Sequence, residues 1–297
     1  MPLERLESPP SLPGLFAKAL AGVAIPGRSG ELPERRLALR EQQIDLERVA
    51  DYCRVCGFSL GQELPATYPH LLGFPLELEL MGARSFPFPI LGVVHVANRI
   101  EQQSAIPVDA RADVVVWAER LRPHRRGRQF DLVTELALAG EPVWREHSTY
   151  LRPGAGGAEA PGGSELPGDP ATRPEGTSER SEPSGEVAAV WKVPGGIGRR
   201  YGGVSGDRNP IHIHPLTAKP FGFGGAIAHG MWTMARCLAA LDARLPDAVT
   251  TEVEFRKPLR IPGRVELRVA AADGGFDFAL APGGGGKPHL IGSAGPV

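Results

Sequence analysis

One stretch of this 297-residue chain, from Tyr201 to Leu245, constrains its fold most, because a polar loop there runs directly into an apolar helix. The loop carries four side chains with acid–base or hydrogen-bonding chemistry: Asp207, Asn209, His212 and His214. Pro210 excludes a regular helix through the loop and favours an extended residue before it, so these side chains can converge. A carboxylate and an imidazole aimed at one point suit general acid–base catalysis near neutral pH. The loop predicts a catalytic site, with capping of backbone N–H groups as the alternative role of Asp207.

The segment after this loop has the spacing of a buried helix. Its apolar residues recur at alternating steps of four and three: Ile227, Met231, Met234, Leu238, Leu241 and Leu245. Pro246 predicts the end of the helix. His229 and Gly230 stand at its start, where the Gly230 N–H has no intrahelical partner and is suited to hold a carbonyl oxygen that gains negative charge. Close packing is the alternative reason for a glycine there.

The remaining apolar patterns predict helices and antiparallel strands. Helices are predicted over 46–58 and 71–81. Strands are predicted over 92–98, 112–119, 131–137, 143–151 and 187–193, and four more close the chain around Val253, Leu267, Phe278 and Leu290. A helix followed by a run of antiparallel strands predicts an α+β fold, with the helix lying across the sheet.

An internal repeat indicates two copies of this plan. Residues 52–58 (YCRVCGF) align with residues 201–207 (YGGVSGD), so that Tyr, Val and Gly coincide. Phe58 stands where the second copy has Asp207, and no Asn-Pro-x-His follows it, so the first copy is expected to pack or to shape a pocket. The predicted organisation has four parts: a loose lead-in over 1–36 with a short helix at Leu15–Leu20, a first unit over 37–151, a flexible Pro/Gly/Ser-rich linker over 152–185 and a second unit over 186–297.

Two motifs in the polar loop and the helix start resemble a known family. The runs SGDRNPIH (205–212) and GFGGAIAHGM (222–231) are similar to the hydratase-2 motif of MaoC-like dehydratases. The resemblance implies a double hotdog fold and interconversion of (3R)-3-hydroxyacyl and trans-2-enoyl thioesters, with no metal or other cofactor. It implies a catalytic pair, Asp207 and His212, and a Gly230 N–H that polarises the thioester carbonyl. Asn209 and His229 are then positioning residues, and the first unit shapes the acyl tunnel.

Composition narrows the partners and the compartment. The formal net charge is −1, which argues against nucleic acid or an anionic membrane as the main partner. The three cysteines form no disulfide framework and suit a reducing cytoplasm. Cys53 and Cys56 form a C-x-x-C, but a zinc site would need a second pair. No apolar run is long enough to span a bilayer. Two hotdog units can pair within one chain, so a monomer or a homodimer is expected.

Two basic clusters are candidates to contact the phosphates of coenzyme A or of an acyl carrier protein. Arg125 and Arg126 lie in a predicted turn between strands, whereas Arg256 and Lys257 belong to the second unit. A solvated hairpin tip is the alternative role of the first cluster.

Three other functions compete with the dehydratase hypothesis. A hotdog thioesterase would use a carboxylate on the central helix, where Asp242 is the candidate. A binding module would have kept the fold and lost the chemistry. A zinc site could be built from His212, His214 and His229, although the first two point to opposite sides of an extended chain.

Overall fold

The computed structural model of the chain describes residues 1–16, 30–154 and 185–297. Nearly all of the predicted linker lies outside the described residues, as does most of the helix predicted over Leu15–Leu20, of which residues 15 and 16 are helical. Strand formation continues to Pro153, so the first two residues assigned to the linker belong to the sheet.

The described residues contain one eleven-stranded sheet. The strands in chain order are β1 (Leu3–Arg5), β2 (Arg36–Gln43), β3 (Val94–Gln102), β4 (Arg111–His124), β5 (Gly127–Leu138), β6 (Glu141–Pro153), β7 (Glu186–Val193), β8 (Val249–Phe255), β9 (Gly263–Ala272), β10 (Gly275–Pro282) and β11 (Leu290–Pro296). Their order across the sheet is β1-β2-β4-β5-β6-β3-β8-β11-β10-β9-β7. Each strand that the apolar alternation predicts is present, and most extend a few residues further than predicted.

The sheet has two halves with the same topology. We call β2 to β6 the first half and β7 to β11 the second half. Counted from the outer edge to the centre, the first half runs β2-β4-β5-β6-β3 and the second runs β7-β9-β10-β11-β8. The halves meet where β3 pairs with β8 in antiparallel register, with Ala97 opposite Glu254 and Gln102 opposite Val249. The internal repeat in the sequence therefore corresponds to a repeated arrangement of strands.

Besides the helical residues 12–16, six α-helices accompany the sheet in the described part of the chain. They are α1 (Leu46–Cys56), α2 (His70–Gly82), α3 (Ile197–Ser205), α4 (Pro210–Ile213), α5 (Pro215–Ala218) and α6 (Gly230–Ala239). The central helix of the first half, α2, packs on β2, β4 and β5, and that of the second half, α6, packs on β11. A central helix on an antiparallel sheet in each half is the α+β double hotdog arrangement that the motifs imply. None of the described helices has both the length and the apolar character needed to cross a bilayer.

The central helix of the second half is shorter than predicted. It ends at Ala239 instead of running to Pro246. Beyond it, Leu241 N–H bonds the carbonyl of Leu238 and Arg244 N–H bonds that of Leu241, so the chain continues in 3₁₀-type turns. Leu241 remains buried at 1% exposure. Apolar residues spaced three and four apart can be buried in an α-helix and in 3₁₀ turns alike. The apolar stripe therefore continues beyond the end of the α-helix.

Helices α1 and α3 hold the two aligned segments against each other. Both end in a glycine with left-handed backbone, Gly57 at φ 90° and Gly206 at φ 85°. The aligned tyrosines, Tyr52 and Tyr201, meet with ring centroids 6.3 Å apart. The helix pair therefore lies where the halves join, and in each half the residue after the glycine begins the segment that leads to the central helix.

The lead-in is more ordered than a loose segment. Its residues Leu3–Arg5 form β1 and pair in parallel with Arg36–Ala38 of β2. Leu12 lies so close to Gly206 that a Cβ on that glycine would stand 2.2 Å from a Leu12 methyl group. The N-terminal segment therefore packs against the start of the polar loop.

Candidate active site

The polar loop begins at the left-handed glycine that ends α3. Asp207 N–H donates to Ser205 Oγ at 3.1 Å, and Asp207 Oδ1 accepts from Asn209 N–H at 3.0 Å. Asn209 Oδ1 in turn accepts from Ile211 N–H at 3.4 Å and caps α4, whose first residue is Pro210. The alternative role of Asp207, capping backbone N–H groups, thus uses only one of its carboxylate oxygens, Oδ1. The second oxygen faces the histidines.

His212 has one ring nitrogen fixed and one available. Its Nδ1 lies 2.9 Å from the carbonyl of Ile227, and because a carbonyl only accepts, Nδ1 carries the proton. The neutral tautomer then leaves Nε2 as a free base. Burial lowers the pKa of His212, although the carboxylate of Asp207 opposes this shift. His212 is therefore neutral near pH 7, the state in which it can accept a proton.

His229 contacts both Asp207 and His212. Its Nε2 donates to the backbone carbonyl of Asp207 at 3.0 Å and lies 3.7 Å from Asp207 Oδ2. Its ring stacks on His212 at 3.7 Å between centroids and meets Tyr201 at 4.9 Å. Burial, followed by the proximity of His212, lowers the pKa of His229 to about 3. The neutral ring of His229 therefore fixes the position of Asp207.

The carboxyl of Asp207 stays ionised in this setting. Enclosure raises its pKa, but His229, His212 and the Asn209 N–H together hold the pKa below its usual value. About a quarter of the side chain, 26%, is exposed toward the pocket. The loop thus presents an ionised carboxylate beside a neutral imidazole.

Gly230 is the first residue of α6, so its N–H has no partner within the helix. A Cβ at this position would stand 3.1 Å from the ring of Phe255. Both interpretations of Gly230 are therefore compatible with the structure, since the close approach to Phe255 and the available N–H arise from the same lack of a side chain.

These groups open onto one pocket that both halves line. The second half contributes Asp207, Asn209, His212, His229 and Gly230. The first half contributes an apolar face of α2 with one histidine at its start: His70, Phe74, Leu78 and Met81. His95 of β3 and Tyr150 of β6 complete that side. The sequence predicted the apolar stripe of α2 but not the presence of His70 and His95 in the pocket. The available signal for His70 was its position four residues before Phe74, which puts both side chains on one face of a helix.

The two basic clusters differ in their relation to this pocket. Lys257 lines both the pocket and an adjoining groove, which also has Arg260 and Arg264 in its wall. Arg256 forms an ion pair with Glu254 at 2.6 Å. Arg125 and Arg126 lie between β4 and β5 and do not line the pocket.

The structure weakens the metal and thioesterase hypotheses. His214 is exposed and caps α5, with its Nδ1 accepting from Leu216 N–H at 3.1 Å, so it is not part of the cluster. Ligand atoms of Asp207, His212 and His229 lie within 4.8 Å of one another. However, the two imidazoles are stacked at 26°, so their in-plane lone pairs do not converge. Asp242 lines a different cavity, together with Phe58.

A family model, curated relatives and solved structures all relate this chain to MaoC-like dehydratases. A MaoC-like domain matches residues 198–275. The chain is 38% identical over 285 residues to 3-hydroxyacyl-thioester dehydratase X of Mycobacterium tuberculosis, covering 96% of this chain and 98% of that protein. A crystal structure of HtdX from the same organism has 36% identity and a TM-score of 0.74, covering 89% of this chain and all (100%) of that chain. The 3-hydroxybutyryl-CoA dehydratase of Methylorubrum extorquens is 39% identical over 74 residues, 24% of this chain and 47% of that protein.

Proposed function

Since the chain belongs to the MaoC-like dehydratase family, we propose that it interconverts (3R)-3-hydroxyacyl and trans-2-enoyl thioesters in the pocket between its halves. The enzyme is a hydro-lyase of acyl metabolism. The observation that carries the assignment to this pocket is the ionised Asp207 beside the neutral His212, within a pocket that also contains the Gly230 N–H.

Asp207 and His212 act as the acid–base pair. In the hydration direction they hold one water molecule between Asp207 Oδ2 and His212 Nε2. The pair takes one proton from the water as its oxygen bonds C3, and it returns one proton to C2, so the pair ends in its starting protonation state. Each general acid–base group contributes about 10²–10⁴ in rate. Asn209 and His229 position Asp207 through the hydrogen bonds already described.

Gly230 polarises the thioester carbonyl. As electrons move toward C1 in the addition, the carbonyl oxygen gains negative charge, and the N–H at the start of α6 is directed to it with the help of the helix dipole. A preorganised donor of this kind is worth about 10²–10³ in rate. No step in this scheme needs a metal or other cofactor.

The pocket also suggests how the substrate lies. From His70 to Met81 the pocket-lining face of α2 extends about 16 Å, and beyond His70 its residues are apolar, which suits an acyl chain. The opposite end opens past Lys257 into the groove with Arg260 and Arg264, which suits the phosphates of coenzyme A or of a carrier-protein pantetheine. In this arrangement Lys257 replaces Arg125, Arg126 and Arg256 as the principal phosphate contact.

Several broader expectations become part of the proposal. The buried, unpaired Cys53, Cys56 and Cys237 support a reducing, cytoplasmic location. The near-neutral charge supports a small-molecule thioester as partner, and not nucleic acid or a membrane. The repeated strand order supports two units, over 37–151 and 186–297, that pair within one chain, as a monomer or within a homodimer.

The proposal is tested by following the enoyl-thioester absorbance with crotonyl-CoA and with a long-chain enoyl-CoA. We expect the wild-type protein to remove the band and an (R)-specific coupled assay to detect the product. His212→Gln should be nearly inactive. Release of free thiol without hydration would instead indicate a thioesterase, and inactivity on both CoA and carrier-protein substrates would contradict the proposal.

A further inference from the structure

The first half contains a buried charged network that the proposed mechanism does not use. Glu146 on β6 is fully buried, at 0% exposure. One of its oxygens lies 2.9 Å from His70 Nδ1, and the other accepts from Asn98 Nδ2 at 2.6 Å. Asn98 also donates to Ser148 Oγ at 3.1 Å. Both carboxylate oxygens thus receive N–H donors, which is the geometry of an ionised carboxylate.

A buried carboxylate needs a compensating charge, and His70 is placed to supply it. Burial alone would lower the pKa of His70, but Glu146, followed by Glu77 and Asp207, raises it to about 9. The ring then carries protons on both nitrogens. His70 is only 5% exposed, and that exposure faces the pocket that holds Asp207 and His212.

The second ring nitrogen of His70 has no partner among the described residues. Nδ1 is taken by Glu146, whereas Nε2 makes no hydrogen bond to the described part of the chain and is not fully buried, so it is accessible from the pocket. A cationic N–H group in the wall of a largely apolar pocket is costly when it has no hydrogen-bond acceptor. A ligand in the pocket is therefore the expected acceptor.

The place of His70 along the pocket identifies that acceptor. His70 begins the α2 face that continues through Phe74 to Met81, and it is close enough to Asp207 for the two charges to influence each other. An acyl chain that leaves the Asp207–His212 pair along α2 therefore passes His70 first. At this point the substrate has one oxygen, the one on C3.

We propose that the first half supplies a catalytic residue, His70, whose Nε2–H donates a hydrogen bond to the C3 oxygen of the hydroxyacyl substrate and of the leaving water. This inference rests on the proposed function. His70 keeps its proton throughout, so the proton balance of the Asp207–His212 pair is unchanged. Its donor is worth most as the C3–O bond breaks and the oxygen gains electron density.

The first test is a set of substitutions in the network. His70→Gln keeps an amide donor near the Nε2 position but removes the charge, and it should lower kcat for dehydration about 10–100-fold. The inhibition constant of butyryl-CoA should not change, because this saturated analogue has no C3 oxygen. A folded His70→Gln enzyme with wild-type kcat, or with equally weakened butyryl-CoA binding, would overturn the proposal.

The pH profile separates the catalytic role from a structural one. The titratable groups that face His70 are Glu146 on β6, Glu77 on α2, His95 on β3 and Asp207. Wild-type kcat should fall as the pH rises through about 9, where His70 loses its proton. Glu146→Gln should move this fall to lower pH. His95→Gln is the matched control, since burial already lowers the pKa of His95 to about 4 and the fall should stay in place.

A second measurement needs no variant that removes the ion pair. In ¹⁵N-histidine spectra of the wild-type protein, one imidazole should stay doubly protonated above pH 8. Its signals should shift when (3R)-hydroxybutyryl-CoA, but not butyryl-CoA, is added to Asp207→Asn protein, which we expect to turn over at least 10²-fold more slowly than wild type. Absence of such a histidine would overturn the proposal. An inactive wild-type enzyme would contradict the proposed function itself, so the two failures are distinguishable.

Discussion

The two copies of the helix–loop segment diverge at the residue that follows the left-handed glycine. In the second copy this residue is Asp207, which stays ionised and holds one oxygen toward His229. In the first copy it is Phe58, which is 9% exposed and stacks on Tyr52 with ring centroids 6.2 Å apart. The same backbone position thus carries the carboxylate of the proposed catalytic pair in one half and a core-packing ring in the other.

The comparison shows that the halves specialise. The face of α2 lines the pocket of the second half with Phe74, Leu78 and Met81. The equivalent end of the second half, beyond α6, lines a separate cavity with Leu245 and Phe58. The first half thus lines the pocket that holds Asp207, whereas its own aligned residue, Phe58, lines the separate cavity.

The largest expected effect comes from removing the base. His212→Gln should lower kcat by about 10²–10⁴ with little change in thermal stability. In the wild-type enzyme kcat should fall as the pH decreases into the range where the neutral imidazole of His212 gains a proton. Because burial lowers the pKa of His212, this fall should lie below the ordinary histidine range. An unchanged kcat in the variant would contradict the proposal that His212 is the catalytic base and that the chemistry belongs to the second half.

Substitution of Phe58, the residue of the first half that aligns with Asp207, should reduce stability and leave activity nearly unchanged. Phe58→Ala removes a buried ring and should lower the free energy of unfolding by about 3 kcal/mol. Activity of the folded variant should remain within a few-fold of wild type. Denaturant titration and the enoyl-thioester assay on the same sample check both statements, and a loss of activity as large as that of His212→Gln would show that both halves carry chemistry.

A smaller effect is expected at the start of α6. Gly230→Ala brings a Cβ within 3.1 Å of the Phe255 ring, so either that ring or the helix start must move by a few tenths of an ångström. We expect the helix start to move and its N–H to lose alignment. We expect kcat/KM to fall about 10–100-fold. Gly203→Ala, inside α3 and with no atom within 4 Å of the new Cβ, is the control and should be neutral or slightly stabilising. Equal behaviour of both variants would argue against an oxyanion role.

The smallest effect concerns chain length. Met81→Phe adds volume at the far end of the α2 face and should reduce kcat/KM about tenfold for a long-chain enoyl-CoA while crotonyl-CoA is little affected. Leu245→Phe, at the separate cavity of the second half, should leave the ratio of the two substrates unchanged. If both substitutions changed that ratio alike, the acyl chain would not lie along α2.

Local patterns predicted the elements better than the contacts between them. Period-two alternation found β3 to β11 but missed β1 and β2, and helical spacing found α2 despite Pro75 inside it. The convergence of Asp207, Asn209 and His212 on one pocket was also predictable, because these residues are close in sequence. The length of α6 was wrong, since residues spaced three apart stay buried in 3₁₀ turns as well.

Contacts between residues that are far apart in the chain could not be predicted from local sequence patterns. The ion pair of His70 and Glu146 joins residues 76 positions apart, so no local pattern indicates it. The stacking of His229 on His212 likewise depends on how the start of α6 returns to the loop. For the same reason the pairing of β3 with β8, which joins the halves, could be inferred only from the repeat.

The most direct test of the central claim compares the two aligned positions in one assay. Wild type, Asp207→Asn and Phe58→Leu would be mixed with crotonyl-CoA, and the enoyl-thioester band would be followed by absorbance. The account predicts that wild type and Phe58→Leu remove the band at similar rates, whereas Asp207→Asn is at least 10²-fold slower. Near wild-type turnover by folded Asp207→Asn protein would contradict it.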